Sequence, residues 1–126
     1  MKIIALGDIH GRTAWKQIVA NMDFDRVVFV GDYFDSRDNH TGAEQVQNFK
    51  EIIAYKKANM QKVVLLFGNH DFHYLNMVNE TYSGFQVVHH KIIQNCCTKP
   101  WIRICCKCVL YTKILCSRMQ VLQKPG

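Results

Sequence analysis

Arg26-Val-Val-Phe-Val-Gly-Asp-Tyr-Phe-Asp35 is the stretch from which the fold of this 126-residue chain is deduced. Its four consecutive apolar residues, 27–30, are typical of a strand that is buried on both faces. The apolar run ends at Gly31, and two carboxylates follow, Asp32 and Asp35. A strand that ends in glycine and then presents acids predicts a site at the carboxyl end of that strand.

The same order of residues occurs twice more in the chain. Lys2-Ile-Ile-Ala-Leu-Gly-Asp8-Ile-His10-Gly11 lies before this stretch, and Lys62-Val-Val-Leu-Leu-Phe-Gly-Asn69-His70-Asp71 lies after it. Each copy is an apolar run followed by glycine and then by oxygen or imidazole donors. We therefore predict strands at 2–6, 27–30 and 63–67.

Helices are predicted between these strands. Residues 13–22 place apolar side chains at i, i+3, i+4 and i+7, on one face of a helix. A capping box, Thr41-Gly-Ala-Glu44, predicts a second helix that runs to about residue 59. The order β-α-β-α-β with short connections predicts an α/β fold with a parallel sheet and right-handed crossovers.

In such sheets, ligands bind outside the carboxyl ends of the strands. The donors that should meet there are Asp8, His10, Asp32, Asp35, Asn69, His70 and Asp71. Carboxylates with imidazole and an amide oxygen suit Mn, Fe or Zn. We expect two divalent ions, with Asp32 as the bridge between them. Asp8 and His10 would hold one ion and Asn69 the other.

His70 with Asp71 beside it indicates an imidazole that a carboxylate keeps protonated. Such a group suits a general acid for a leaving group, or a donor to transition-state oxygens. Paired ions polarise a phosphoryl group and lower the pKa of a bound water, so that it becomes a nucleophile near neutral pH. The other histidines, His40, His73, His89 and His90, are expected on the surface or in loops.

The motifs Gly7-Asp8-Ile9-His10-Gly11, Gly31-Asp32-Tyr33-Phe34-Asp35 and Gly68-Asn69-His70-Asp71 resemble the first three motifs of the calcineurin-like metallophosphoesterases. The resemblance covers about residues 1–75 and implies a hydrolase or phosphatase with a truncated half of that family's sandwich fold. It implies Asp8 and His10 on one metal, Asp32 bridging, Asn69 on the other metal, and His70 as the catalytic histidine with Asp71 behind it. It also implies that Asp35 orients ligands, and it suggests Arg37 as a phosphate-binding residue.

Composition divides the chain in two. Residues 1–91 carry 10 Lys and Arg and 10 Asp and Glu, whereas residues 92–126 carry 6 Lys and Arg, no acid and all six cysteines. We therefore expect a partial metallophosphoesterase domain at 1–91 and a basic, cysteine-rich tail at 92–126 that is not a domain. The tail could bind zinc or nucleic acid. Alternatively, it is the translation of a wrong reading frame that begins between about residues 85 and 96.

The family resemblance also implies a further metal-binding histidine and a Gly-His-x-His motif downstream, and neither is found in this sequence. We therefore expect a weak or inactive phosphoesterase, the alternative being a non-catalytic fragment that binds metal or polyanion. A loop is predicted at 79–84 and a strand at 87–93. No apolar run approaches the length of a membrane span, so a cytoplasmic protein is expected. The family resemblance implies a phosphate-ester substrate.

Overall fold

The computed structural model describes residues 1–74 and 83–98. Three strands, β1 (Ile3–Leu6), β2 (Arg26–Phe29) and β3 (Val63–Leu65), form a sheet in the order β1-β2-β3. Both neighbouring pairs are parallel, with Leu6 opposite Phe29 and Phe29 opposite Leu65. The predicted parallel α/β fold is confirmed.

Helices make the two crossovers of this sheet. Between β1 and β2 lies α1 (Trp15–Asn21), which is shorter than the predicted 13–22, and between β2 and β3 lies α2 (Gly42–Ala58). The predicted capping box starts α2. The Thr41 hydroxyl accepts a hydrogen bond from the Glu44 amide at 3.2 Å, and the Glu44 carboxylate accepts one from the Thr41 amide at 2.7 Å. These bonds satisfy two backbone donors that the first turn of a helix would otherwise leave unpaired.

The core lies between α2 and one face of the sheet. Alternate side chains of the strands point to this face and are buried, as the two-residue period of a strand requires. The helix contributes residues spaced three and four apart, which lie on one side of a helix. The buried set includes Val27, Phe29, Val63 and Leu65 from the sheet and Val46, Phe49, Ile52 and Ile53 from α2.

Two further helices follow, α3 (Asn69–Phe72) and α4 (His90–Thr98). The predicted strand at 87–93 is wrong, because residues 87–89 form a turn and α4 begins at His90. The helix is favoured because Ile93, Cys96 and Cys97, at i, i+3 and i+4, are buried together in the core. Of the predicted loop at 79–84, only residues 83 and 84 are described, and they form a turn.

The predicted boundary after residue 91 falls inside α4, which contacts α2. The rest of the tail, 99–126, lies outside the described residues, so the division into domains stays a prediction. Within the described ranges, no group of clustered metal donors includes a cysteine. None of the helices described is both long enough and apolar enough to cross a membrane.

Candidate metal centre

The loops that follow the three strands are joined to one another by hydrogen bonds from backbone amides. The amide of His10 donates to the carbonyl of Asp32 at 2.7 Å, and the amide of Gly11 donates to the carbonyl of Tyr33 at 3.1 Å. The amide of His70 donates to Oδ1 of Asp32 at 3.0 Å. The three motifs therefore meet at the carboxyl edge of the sheet, where the sequence predicts them.

Asp8, His10 and Asp32 form one cluster of donors, whose ligand atoms all lie within 4.8 Å of one another. Nε2 of His10 is 3.7 Å from Oδ1 of Asp8. Nδ1 of His10 lies 2.5 Å from the carbonyl oxygen of Phe34, and a carbonyl can only accept. Nδ1 therefore carries the proton and the lone pair of Nε2 points to the carboxylates. This donor set fits a divalent cation.

Four site residues adopt a left-handed backbone conformation that is uncommon outside glycine. The φ angles are 49° at Asp8, 42° at His10, 56° at Asp32 and 61° at Asp35. Aspartate and histidine tolerate this region better than most residues, and strained backbone of this kind concentrates at functional sites. Three of the four, Asp8, His10 and Asp35, line one cavity at this edge of the sheet.

The close approach of two loops explains why glycine is required at positions 31 and 68. A Cβ on Gly31, which has φ +104°, would lie 2.0 Å from the amide nitrogen of Gly68. A Cβ on Gly68 would lie 2.1 Å from Oδ1 of Asp32. Both distances are far below van der Waals contact, so any larger residue at either position would push the Asp32 loop away from α3.

A second cluster surrounds Asp35, which is buried. Its Oδ2 lies 2.8 Å from Nδ1 of His70 and 2.7 Å from Nε2 of His73, and its Oδ1 accepts a hydrogen bond from the hydroxyl of Tyr74. The ring of His70 also meets the ring of His10 edge to face, with centroids 5.2 Å apart. The predicted catalytic histidine therefore lies beside the Asp8–His10–Asp32 cluster.

The expected pairing of His70 with Asp71 is corrected by these contacts. Asp71 is fully buried and accepts hydrogen bonds from three backbone amides, those of Gly68, Asp32 and Tyr33, at 2.7–2.8 Å. Adjacent residues of a helix point in different directions, so Asp71 caps α3 while His70 turns to Asp35. Burial raises the pKa of Asp71 to about 8, although the hydrogen bonds from the three amides act in the opposite direction.

A cavity of about 400 Å³ opens over these groups and is lined by Asp8, His10, Arg12, Asp35, Arg37 and His70. Its size is within the range of small-molecule sites. Arg37, suggested as a phosphate-binding residue, is exposed on its wall. Asn69 is the exposed first residue of α3, next to the amide that binds Asp32. Its assignment to a second ion stays a prediction.

Comparison with protein families agrees with this geometry. The model of the calcineurin-like phosphoesterase family matches residues 1–120. The chain belongs to this family. No curated protein and no solved structure matches it. The matched range continues past the predicted boundary at residue 91.

Sequence reasoning missed two residues of this calcineurin-like phosphoesterase site. His73 was expected in a loop or on the surface, but its side chain is fully buried against Asp35. Its spacing of three from His70 within a helical turn is the signal that could have revealed it. Arg12 follows the first motif directly and lines the cavity, but nothing in its position in the sequence marks it as part of the site.

Proposed function

We propose that this chain hydrolyses phosphate mono- or diesters at the cavity over Asp8, His10 and Asp32, with the aid of two divalent ions such as Mn, Fe or Zn. The observation that carries the proposal is the convergence of these three donors beside His70. Family membership supports a hydrolase of this kind. When bound there, divalent cations polarise a phosphoryl group and supply a nucleophilic water of lowered pKa.

The residues of the chain take distinct roles in this proposal. Asp8, His10 and Asp32 would hold one cation, and Asp32 and Asn69 would hold the second. The carbonyl of Phe34 keeps the proton of His10 on Nδ1, which leaves Nε2 as the ligand atom.

His70 is proposed as the general acid. The carboxylate of Asp35, at 2.8 Å from Nδ1, fixes the orientation of the ring and leaves Nε2 for the substrate. Nε2 then delivers its proton to the leaving-group oxygen as the bond from that oxygen to phosphorus breaks.

Metal binding and hydrolysis by the full chain test the proposal together. Mn²⁺ binding is measured by calorimetry, and turnover is measured with a nitrophenyl phosphate monoester and a bis-nitrophenyl diester. Asp32→Asn should lower Mn²⁺ affinity at least tenfold and abolish turnover, because it removes the shared charge. Asp23→Asn is the matched control, since Asp23 is exposed and, among the described residues, its carboxylate contacts Lys2 at 3.5 Å.

Turnover that is unchanged by Asp32→Asn would refute the proposal. Mn²⁺ binding without hydrolysis of either ester would favour the second candidate, a non-catalytic metal-binding protein. The specific observation behind this candidate is that the described ranges hold two groups of three donors that could each bind a metal ion. One is Asp8, His10 and Asp32, and the other is Asp35, His70 and His73, which includes the proposed general acid.

A further inference from the structure

Arg12 lies at the junction of two cavities. It lines the 400 Å³ cavity with Asp8 and His10, and it also lines a second cavity of about 310 Å³ that Asp8 lines as well. The second cavity has a largely apolar wall that includes Leu6, Ile9 and Ile18. The two cavities therefore adjoin at Asp8 and Arg12, and the second suits an apolar or aromatic group.

The side chain of Arg12 is held in this place by two hydrogen bonds. Nε donates to Oδ2 of Asp38 at 2.8 Å, and Nη1 donates to the backbone carbonyl of Asp8 at 3.1 Å. A guanidinium has five N–H donors, and the described residues engage one at Nε and one at Nη1. Both donors of Nη2 remain for a ligand. The hydrogen bond from Arg12 also lowers the pKa of Asp38, which keeps that partner ionised.

The backbone of Arg12 is fixed by α2. Nδ2 of the buried Asn48 donates to the carbonyl of Arg12 at 3.1 Å, and Oδ1 of Asn48 accepts a hydrogen bond from Nε1 of Trp15 at 2.9 Å. Asn48 is therefore fixed at both ends of its amide. A site whose residues are anchored before the ligand arrives loses less entropy on binding.

The loop that carries Asp38 is also fixed by α2. Gln45 is fully buried, accepts a hydrogen bond from the Ser36 amide at 3.3 Å and donates one to the His40 carbonyl at 3.0 Å. Within the loop, the amide of Asp38 donates to Oγ of Ser36 at 3.1 Å. Asp38 therefore binds Arg12 from a loop whose conformation is fixed by these hydrogen bonds.

We infer that Arg12 forms an anion subsite that binds a second phosphate of the substrate, so that the preferred substrates are diphosphate esters carrying an aromatic or nucleobase group. The inference rests on the proposed function, since the terminal phosphate would occupy the metal centre. The second phosphate then reaches the Nη2 donors of Arg12, because guanidinium groups bind phosphate oxygens with matched geometry. The organic group fills the apolar cavity beyond.

The reaction in this orientation is hydrolysis of the terminal phosphoanhydride bond. The oxygen of water bonds to the terminal phosphorus, and the bond from that phosphorus to the bridging oxygen breaks. The bridging oxygen leaves on the monophosphate ester and takes the proton of His70. The products are inorganic phosphate and the monophosphate ester.

Equilibrium binding tests the subsite without any need for turnover. The probes are adenosine monophosphate and the non-hydrolysable α,β-methylene analogue of adenosine diphosphate, each at a fixed concentration of free Mn²⁺. We expect the wild-type chain to bind the diphosphate analogue at least tenfold more tightly. Arg12→Gln should reduce that preference by about 10- to 100-fold, which is the change in affinity expected when hydrogen bonds to a charged group are lost. Asp38→Asn should cause a smaller loss, because it retains the charge of Arg12 and removes its anchor.

Lys50→Gln is the matched control, since it removes one positive charge from the exposed side of α2. It should retain the preference of the wild type. Equal binding of both probes by the wild-type chain would overturn the inference, and so would an equal weakening of both by Arg12→Gln. An active esterase without the diphosphate preference would refute the subsite alone. A diphosphate preference in a chain that hydrolyses neither nitrophenyl ester would refute the proposed esterase and leave the subsite intact.

Discussion

Oδ2 of Asp35 lies 2.8 Å from Nδ1 of His70, across a sequence separation of 35 residues. This contact joins the loop after β2 to α3, and it gives the site a paired carboxylate and imidazole beside the predicted metal ligands. The same oxygen of Asp35 also lies 2.7 Å from Nε2 of His73. One buried carboxylate therefore orients two imidazoles at once.

Replacing Asp35 with Asn tests this pairing. The isosteric amide removes the carboxylate that orients the ring of His70, so the turnover number should fall by about 10²- to 10⁴-fold, the usual contribution of a positioned acid. Mn²⁺ affinity, measured by calorimetry, should stay within about twofold of the wild type, because the proposed ligands are Asp8, His10 and Asp32 whereas Asp35 belongs to the separate donor group with His70 and His73. A loss of Mn²⁺ affinity as large as that of Asp32→Asn would show instead that Asp35 is a ligand.

His73 is predicted to position Asp35 through its Nε2 atom. His73→Leu should lower the turnover number at least tenfold, whereas His73→Gln, whose amide nitrogen can take the place of Nε2, should recover most of that loss. Urea unfolding of both variants separates this effect from a loss of packing. Equal activities in the two variants at equal stability would mean that the contact with Asp35 has no part in turnover.

Asp71 is predicted to stabilise the fold by holding three loop amides. Asp71→Ala leaves the amides of Gly68, Asp32 and Tyr33 without the acceptor they have in the structure. A buried donor without a partner costs about 1–3 kcal/mol, so the free energy of unfolding should fall by about 3 kcal/mol or more. Chemical denaturation measures it, with Asp23→Ala as the exposed control. Equal stabilities of these two variants would contradict the structural role.

Gln45 is predicted to keep the loop at 36–40 closed. Gln45→Leu removes both side-chain hydrogen bonds to this loop, so limited trypsin digestion should cleave after the exposed Arg37 about tenfold faster or more. Gln47→Leu on the exposed side of the same helix is the control, because the side chain of Gln47 donates its hydrogen bond to Glu51 of α2 and not to the loop. Identical cleavage rates in the two variants would show that Gln45 does not hold the loop.

The sequence was sufficient to predict the sheet and the location of the site. Apolar runs that end in Gly7, Gly31 and Gly68 identify three parallel strands, and the parallel arrangement alone brings their carboxyl ends together. The capping box predicts the start of α2 because its two hydrogen bonds depend on neighbouring residues. These predictions succeed because local spacing decides them.

The partners of buried side chains could not be predicted in the same way. The choice between Asp35 and Asp71 as the partner of His70 depends on the direction in which α3 leaves β3, which no local pattern records. The segment at 87–93 contains two short apolar pairs that fit a strand or a helix equally well, and packing of Ile93 in the core favours the helix. Both failures concern contacts between residues that are distant in the sequence.

The left-handed backbone at Asp8, His10, Asp32 and Asp35 has a consequence for any attempt to make this molecule more stable. Glycine adopts that conformation without steric cost, so a glycine substitution at an exposed position such as Asp8 should relieve strain. The same substitution would remove one of the donors that could hold a metal ion. Stability gained in this way would therefore come at the cost of the chemistry of the site.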